Sequence, residues 1–341
     1  MQDALNKKLI IFVGDLCQLP PVCFHSNSLL PNSNVSFCQT CHITQAPLWQ
    51  YVKTLTLTQP MRQQTDEPLV SFLNKVRTET PTETDIDIFR SRFIDESQAG
   101  ALIRSWMNTN ARNTFCFSII VTHRFQALNY NTYILKYWFQ PEEIHEVKVE
   151  SFGDEPVPAE LSEWLNDPEF HQLNAVAIGC RVMLTENINI GNNRILPNGT
   201  ICIVSNIDLK QGAVHSIEVL PVNGSSLSQQ GTFWIRRGSA YGARNVRYHN
   251  GMTPFTKSTF PLKLAYALTA HSMQGETLRV PTLIDIHECF CAGMMYVIMS
   301  RVSERSLMYI KGSITSQMFV PIPYPFNGIV RAQPAASAST S

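Results

Sequence analysis

Acidic residues are missing from one long part of this sequence. Residues 219–275 contain no Asp or Glu, although the chain carries 27 acidic and 27 basic side chains in its 341 residues. The net charge of zero excludes a protein that binds nucleic acid through its overall charge, so any such binding must come from a local patch. We call residues 219–275 the basic segment, because it carries Arg236, Arg237 and Lys263 beside aromatic residues such as Trp234.

Arginines interleaved with aromatic rings suit a groove for single-stranded nucleic acid, in which the cations follow the phosphates and the rings stack on bases. The alternative is a β-barrel whose aromatic side chains form its core and whose arginines are solvated. The basic segment alone leaves both interpretations open.

Other absences narrow the class of protein. No apolar run approaches the length that crosses a membrane, and the first residues lack the apolar region of a secretory signal. The nine cysteines are scattered rather than densely spaced, which favours a reducing compartment over a disulfide framework. With 44% hydrophobic and 16% charged residues, the chain is globular.

A nucleotide-binding phosphate loop is also missing. The sequence contains no Gly-x-x-x-x-Gly-Lys-Ser/Thr, and no Asp-Glu pair ends an apolar strand ahead of residue 9. Such a loop surrounds phosphates with backbone N–H groups and supplies a lysine and a hydroxyl that binds Mg²⁺.

The most informative segment that is present is residues 9–22, LIIFVGDLCQLPPV. Its uncharged run at 9–13 predicts a strand buried on both faces of a parallel sheet. Ligands of open α/β sheets lie beyond the carboxyl ends of the strands. Gly14, Asp15 and Gln18 are therefore expected where a nucleotide phosphate would lie.

Four later segments add to this pattern. The first combines a strand at 55–57 with Arg62 and an amphipathic helix at 68–77, and the second is an apolar strand at 115–122 that leads into a helix. The third, LKLAYALTAHSMQGETL, spans residues 262–278, and the fourth, MYVIMSRVSERSLMY, spans residues 295–309.

Taken in order, these segments resemble motifs III to VI of the superfamily-one Petite Integration Frequency (PIF) DNA helicases. Gly-Asp-x-x-Gln-Leu-Pro-Pro is the family's motif III, and Arg62 lies in a string similar to motif IV. The usual motif V, Thr-x-His-Lys-Ser-Gln-Gly, is matched at Thr269, His271 and Gln274-Gly275, but Ser272 and Met273 replace its Lys-Ser pair.

The resemblance implies an α/β fold with RecA-like motor domains of the phosphate-loop NTPase type. Residues 1–53 would be the remnant of a first RecA-like domain, and 54–176 with 260–320 would form the second. Residues 177–259 would be a small inserted β-barrel that includes a hairpin turn at Asn198-Gly199. Residues 321–341 are rich in Pro, Ala and Ser and are expected to be a disordered tail.

The resemblance also implies site residues, cofactors and partners. The catalytic set would be Gln18, Arg62 and Arg301, and the nucleotide cleft would include Gly14, Asp15, Gln274 and Gly275. The residues expected to bind DNA are Thr122, Asn129, Trp234, Arg236, Arg237, Thr269 and His271. ATP and Mg²⁺ would be the cofactors of a longer parent protein, and single-stranded DNA, duplex junctions and the missing N-terminal motor domain would be its partners.

The expected function is ATP-dependent 5′-to-3′ DNA unwinding in replication, repair, recombination or telomere maintenance, in the nucleus or in mitochondria. Because the phosphate loop is missing, we expect a fragment, a gene start assigned too late, or a decayed copy that only binds nucleic acid, and no ATP hydrolysis by this chain alone. A third hypothesis is a zinc-dependent binding protein, since Cys38, Cys41 and His42 lie close together in sequence. We predict no metal site, because structural thiols are the more common use of such cysteines.

Overall fold

The computed structural model describes residues 11–19, 28–29, 36–37, 46–53, 55, 57, 62–147, 150–152, 173–190, 194–222, 231–237, 244–246, 255–258 and 260–322. The chain divides into two compact units. Unit 1 comprises Met1–Ile88, Cys289–Ser300 and Ile314–Ser341, and unit 2 comprises Phe89–Glu288 and Arg301–Ser313.

The helices and strands are given in chain order. The α-helices are α1 (Glu67–Val76), α2 (Glu83–Ile86), α3 (Glu96–Thr109), α4 (Arg124–Trp138) and α5 (Met294–Arg301). Short 3₁₀ helices cover Pro47–Tyr51, Asp87–Arg92, Pro141–Glu143, Arg305–Leu307 and Ser316–Met318. The strands are β1 (Ser28–Leu29), β2 (Ser36–Phe37), β3 (Phe93–Ile94), β4 (Ser118–Val121), β5 (His145–Glu146), β6 (Glu150–Phe152), β7 (Ala175–Val176), β8 (Arg181–Leu184), β9 (Ile188–Asn189), β10 (Ile195–Leu196), β11 (Ile201–Lys210), β12 (Ala213–Pro221), β13 (Phe233–Arg236), β14 (Arg244–Val246), β15 (Phe255–Ser258), β16 (Leu262–Leu264), β17 (Ala267–Thr269), β18 (Thr282–Asp285) and β19 (Met308–Lys311).

Unit 2 is built on a parallel five-stranded sheet in the order β17-β4-β18-β19-β3. All four residues of β4 and all four of β18 are buried, as is typical of central strands covered on both faces. The predicted strand at 115–122 is thus confirmed as β4. The parallel sheet flanked by helices confirms the expected α/β fold of the RecA-like class.

A second sheet of unit 2 is antiparallel, in the order β13-β12-β11-β8-β16. It occupies the region expected to hold the inserted β-barrel, and closure of that barrel stays a prediction. Strand β16 belongs to this sheet by pairing with β8, although we assigned residues 260–320 to the motor domain. The predicted domain boundaries remain predictions.

The expected hairpin at Asn198-Gly199 is wrong as a hairpin but correct as a turn. The N–H of Thr200 donates to the Pro197 carbonyl at 3.2 Å, and Gly199 has φ of +90°, which glycine adopts without strain. The flanking strands do not pair with each other, because β10 pairs with β9 and β11 pairs with β8.

The two sheets of unit 2 share one apolar core and are joined by two buried polar side chains. Arg181 on β8 is 1% exposed and donates to the Phe117 carbonyl at 2.6 Å, with its guanidinium over the rings of Phe115, Phe117 and Tyr266. Asn131 on α4 accepts from the N–H groups of Tyr266 and Ala267, both at 2.9 Å. These bonds fix the chain where it passes from β16 to β17.

Unit 1 contains the amphipathic helix that the sequence predicts at 68–77. The Asp66 side chain caps α1 by accepting from the Leu69 N–H at 3.2 Å. Four apolar side chains at helical spacing are buried, namely Leu69, Phe72, Leu73 and Val76. The Phe72 ring also packs edge-on against Phe319, with centroids 5.3 Å apart.

Two strand predictions in unit 1 are wrong. Ile11, Phe12 and Val13 are not in a strand and are 72%, 62% and 92% exposed, and Leu55 and Leu57 are 77% and 90% exposed. A strand of a parallel sheet is buried only when neighbours pair with it, and no described residue pairs with these. Residues between these two segments form the 3₁₀ helix Pro47–Tyr51. The tail beyond residue 322 lies outside the described residues.

Candidate functional site

The motif III turn of unit 1 is organised by the Asp15 carboxylate. The Gln18 N–H closes the turn by donating to the Asp15 carbonyl at 3.1 Å. Oδ1 of Asp15 accepts from the Cys17 N–H at 3.0 Å and from Nη2 of Arg77 at 3.0 Å. Oδ2 accepts from the Tyr296 hydroxyl at 2.9 Å and from Nε2 of Gln18 at 3.3 Å. One carboxylate thereby links the turn to the residue after α1 and to α5.

The charges in this cluster keep Asp15 ionised. Burial by itself raises the pKa of the Asp15 carboxyl, but the Arg77 charge and hydrogen bonds from Cys17, Tyr296 and Gln18 outweigh it and hold that pKa below the ordinary value. Burial and the neighbouring Asp15 charge raise the pKa of the Tyr296 hydroxyl, so it remains a donor. The guanidinium of Arg77 also lies 5.9 Å from the centre of the Tyr296 ring.

Gly293 allows the motif III turn to approach the chain segment that precedes α5. This glycine has φ of +75°, and a Cβ built on it would lie 3.0 Å from the Cys17 carbonyl oxygen. Its N–H donates to the Val320 carbonyl at 2.8 Å. A side chain at this position would be strained and would force the turn away.

Arg62, expected to approach a terminal phosphate, lies beside the end of α5 in unit 1. Its Nη1 donates to the Ser300 carbonyl at 3.3 Å, and Nε2 of Gln63 donates to the same oxygen at 2.9 Å. Side-chain donors at the last carbonyls of a helix satisfy groups that the helix itself leaves unpaired. The proposed phosphate contact of Arg62 stays a prediction.

Arg301 and the motif V residues belong to unit 2. Arg301 is fully buried, and its Nη1 donates to the Glu276 carbonyl at 3.5 Å. Its backbone carbonyl accepts from the Leu278 N–H at 2.8 Å. Gln274 and Gly275 are exposed in the turn before Leu278, and Gly275 has φ of +91°. The catalytic role of Arg301 and the nucleotide contacts of this turn stay predictions.

Thr122 and Asn129 differ in accessibility. Thr122 is 2% exposed, and its hydroxyl donates to Oε1 of Gln126 at 3.1 Å and accepts from the N–H groups of His287 and Glu288 at 3.3 and 3.5 Å. In this arrangement the hydroxyl holds the loop after β18. Asn129 is exposed on α4. The predicted DNA contacts of both residues are untested by this geometry.

A hydroxyl pair and two cations lie together at the motif V turn of unit 2. The Thr269 and Ser272 hydroxyls are 3.0 Å apart, and Nζ of Lys263 donates to Oγ of Ser272 at 2.8 Å. Burial, then the nearby Arg124 charge, lowers the pKa of Lys263 to about 8, and the same two causes lower the pKa of His271. His271 is therefore neutral at pH 7.

In the basic segment, Trp234 and Arg236 share the exposed face of β13, and Arg237 directly follows that strand. Trp234, at 45% exposure, and Arg236 face solvent, whereas Arg237 donates from Nε to the Val214 carbonyl at 3.2 Å and lies over the Phe260 ring. Glu218 is directly across from Trp234 on β12. A segment without acids in sequence thus has an acid beside it in space.

No metal site is found in the part of the chain that the structure describes, since no group of three or more His, Cys, Asp or Glu is arranged to hold an ion there. Cys38, Cys41 and His42 lie outside that part. No helix of the described residues is long and apolar enough to cross a membrane.

Three residues of these clusters were not among the predicted site residues. Arg77 only ends an amphipathic helix, Lys263 is one of several cations in the basic segment, and Tyr296 matches motif VI without an expected role. The replacement of the usual motif V lysine by Ser272 was the one sequence signal that could have directed attention to Lys263.

The curated proteins similar to this chain are named as ATP-dependent DNA helicases. No protein-family profile matches the chain. The curated sequence of the ATP-dependent DNA helicase Pif1 of Campylobacter jejuni is 25% identical over 308 residues, covering 89% of this chain and 63% of the relative. The ATP-dependent DNA helicase PIF7 of Trypanosoma brucei brucei is 27% identical over 342 residues, covering 86% of this chain and 31% of the relative. This chain therefore spans less than two thirds of either protein.

Solved structures show the same fold. Bacteroides Pif1 bound to single-stranded DNA matches with a TM-score of 0.54 and 22% identity, over 78% of this chain and 53% of that one. Pif1 helicase from Candida albicans matches with a TM-score of 0.63 and 20% identity, over 91% of this chain and 64% of that one.

Proposed function

We propose that the chain belongs to the PIF family of superfamily-one helicases, that it forms the latter part of an ATP-dependent 5′-to-3′ DNA helicase, and that it binds single-stranded DNA. The observation that carries this proposal is the Asp15 cluster. In unit 1 a single carboxylate joins the motif III turn to Arg77, next to motif IV, and to Tyr296 of motif VI. A displacement of the motif III turn would therefore be transmitted to motifs IV and VI through these hydrogen bonds.

ATP and Mg²⁺ would bind through residues beyond this cluster. Both Asp15 oxygens already accept two hydrogen bonds each, so this carboxylate does not fit a Mg²⁺ ligand. We propose that a phosphate loop and an Asp-Glu pair in an N-terminal motor domain hold the nucleotide and metal. Gln18, Arg62 and Arg301 would then sense or stabilise the terminal phosphate, as arginines do in phosphoryl transfer.

A second candidate function is a nucleic-acid-binding protein that keeps the fold without catalysis. It is favoured by one observation, the lack of a phosphate loop in these 341 residues. The coding sequence immediately upstream discriminates the two candidates. An in-frame phosphate loop and Asp-Glu pair support the enzyme, whereas stop codons support the binding protein. Stoichiometric zinc in the purified chain would instead favour the zinc-dependent binding protein.

The direct test uses the purified full chain and fluorescently labelled DNA. We expect binding to single-stranded oligonucleotides in preference to blunt duplex, with affinity that falls steeply as salt rises. Equal affinity for both DNAs, or no binding at low salt, would contradict the proposal. A forked duplex would test the expected preference for junctions.

In a longer parent protein, Arg301→Ala should lower DNA-stimulated ATP turnover roughly a thousandfold while single-stranded DNA binding without nucleotide is retained. Loss of DNA binding with normal turnover would reverse the assigned role. A tagged parent protein would test the proposed nuclear or mitochondrial location, and DNA-damage sensitivity of a deletion strain would test the proposed part in repair and recombination.

A further inference from the structure

The motif V turn lacks the lysine of the PIF pattern, but the ammonium group of another lysine lies beside it. Ser272 stands where the PIF helicase pattern has lysine. Lys263 comes from β16, nine residues earlier, and its Nζ lies 2.8 Å from the Ser272 hydroxyl. The Ser272 hydroxyl is in turn 3.0 Å from that of Thr269, and the Ser272 N–H donates to Thr269 Oγ1 at 3.4 Å.

The charged side chain that acts on Lys263 is also positive. Arg124, at the first position of α4, is exposed and acts on Lys263 and His271 by repulsion. Neither Lys263 nor Arg124 forms an ion pair with any residue that the structure describes. A half-buried ammonium next to another cation is costly unless an anion compensates it.

We propose that Lys263 is a phosphate-binding residue of the DNA track, which contacts a phosphodiester of single-stranded DNA together with the hydroxyls of Thr269 and Ser272 and with Arg124. The ammonium supplies a charged donor, the hydroxyl pair supplies one neutral donor because the other O–H donates within the pair, and Arg124 supplies a second positive charge at the rim. A phosphodiester carries one negative charge and several acceptor oxygens, which matches this set of groups.

The chemistry of Lys263 predicts an unusual pH dependence. A lysine binds phosphate only while protonated, so its contribution is present below its pKa and is lost as the pH rises through about 8. The groups that face it are Arg124 on α4 and, on the motif V turn, Thr269, His271 and Ser272. The pKa of His271 is lowered below its ordinary value, so this imidazole is already neutral over the range and does not produce the same transition.

This inference rests on the proposed binding of single-stranded DNA, and the test separates the two. Affinity of the full chain for a labelled oligodeoxyadenylate is measured at several salt concentrations and between about pH 7 and pH 9.5. Adenine is used because its base does not titrate there, whereas thymine N3 does. Lys263→Met should weaken binding about fivefold at about 0.1 M salt and lower the salt slope by about 0.7, the value for one phosphate contact.

Two matched variants keep the result interpretable. Lys263→Arg should bind like the wild type at pH 7 but lose the affinity change near pH 8. The double variant Lys263→Met with Ser272→Lys should recover the salt slope, because it returns an ammonium to the turn. Thermal unfolding of each variant shows whether the fold is intact.

Wild-type DNA binding together with an unchanged slope and affinity in folded Lys263→Met overturns this inference alone. A lower melting temperature without any change in slope also overturns it, since Lys263 would then only hold the turn. A wild-type chain that does not bind the oligonucleotide overturns this inference and the proposed function together. Loss of the slope in Lys263→Met with recovery in the double variant supports it.

Discussion

Replacing Asp15 by Asn should isolate the charge of the cluster in unit 1 from its hydrogen bonds. An asparagine keeps one oxygen that can accept from Cys17 and Arg77. Its amide nitrogen can donate to the Tyr296 hydroxyl and to Gln18, whose side-chain amide can turn its oxygen inward. The substitution therefore removes the ion pair with Arg77 while leaving partners for the other groups.

The expected loss in free energy of unfolding is about 1 kcal/mol. The side chains of Asp15 and Arg77 are 20% and 36% exposed, so solvent screens the pair and the value expected for a buried pair does not apply. Asp15→Ala should cost more, about 2–3 kcal/mol, because it also leaves the Cys17 N–H and the half-buried Arg77 without an acceptor. For a domain of this size, about 1 kcal/mol lowers the melting temperature by roughly 2–4 °C.

The pH dependence of the melting temperature gives a second, independent measurement. The folded-state pKa of Asp15 is lowered below 3.8, so its stabilising charge is present above that pH and is lost as the pH falls below it. The difference between wild type and Asp15→Asn should therefore shrink under acid conditions. A double-mutant cycle with Arg77→Met should give a coupling energy of about 1 kcal/mol that falls with salt. Additive effects of the two substitutions, or a difference that persists in acid, would refute this reasoning.

Four further predictions concern DNA binding, catalysis and the core. Arg236→Ala should lower the salt slope of DNA binding by about 0.7. The neighbouring Arg237→Ala should leave that slope unchanged and lower the melting temperature, because this variant loses the hydrogen bond to the Val214 carbonyl. Equal slopes for both variants in an anisotropy titration would remove Arg236 from the DNA path. Trp234→Ala should cost about 1–3 kcal/mol of binding with no change in slope if its exposed ring stacks on a base, which the same titration measures. The purified chain should not hydrolyse ATP in a phosphate-release assay with single-stranded DNA, because no phosphate loop holds the triphosphate; turnover abolished by Arg301→Ala would contradict this. Arg181→Lys should have a free energy of unfolding lower than that of Arg181→Met by at least about 1 kcal/mol, because lysine buries a charge without a flat guanidinium to stack; a higher melting temperature for Arg181→Lys would disprove it.

The sequence predicts those parts of the fold that depend on local periodicity. The helix with Leu69, Phe72, Leu73 and Val76 on one face is present, because its apolar residues recur at helical spacing and Asp66 caps it. The strand at Ser118–Val121 is present because its run of apolar residues suits an interior strand of a parallel sheet, which is buried on both faces. The fold class follows from these elements and their order.

The candidate site is less predictable, since its contacts join residues that are distant in sequence. Arg77 reaches Asp15 across 62 positions, and Tyr296 reaches it across 281. No spacing rule indicates such pairs. The alternation along β13 places Trp234 and Arg236 on one face and Ile235 on the other, because neighbouring residues of a strand face opposite sides, but the sequence does not fix where that strand lies.

The buried Arg181 has a mechanical consequence for unit 2. Its backbone N–H donates to the Tyr266 hydroxyl, and its side chain donates to the Phe117 carbonyl one residue before β4, so one residue ties the antiparallel sheet to an interior strand of the parallel sheet. Asn131 adds a second connection, because its side chain bonds the chain between β16 and β17. We therefore expect a force applied to the antiparallel sheet to be transmitted to β4 through these hydrogen bonds.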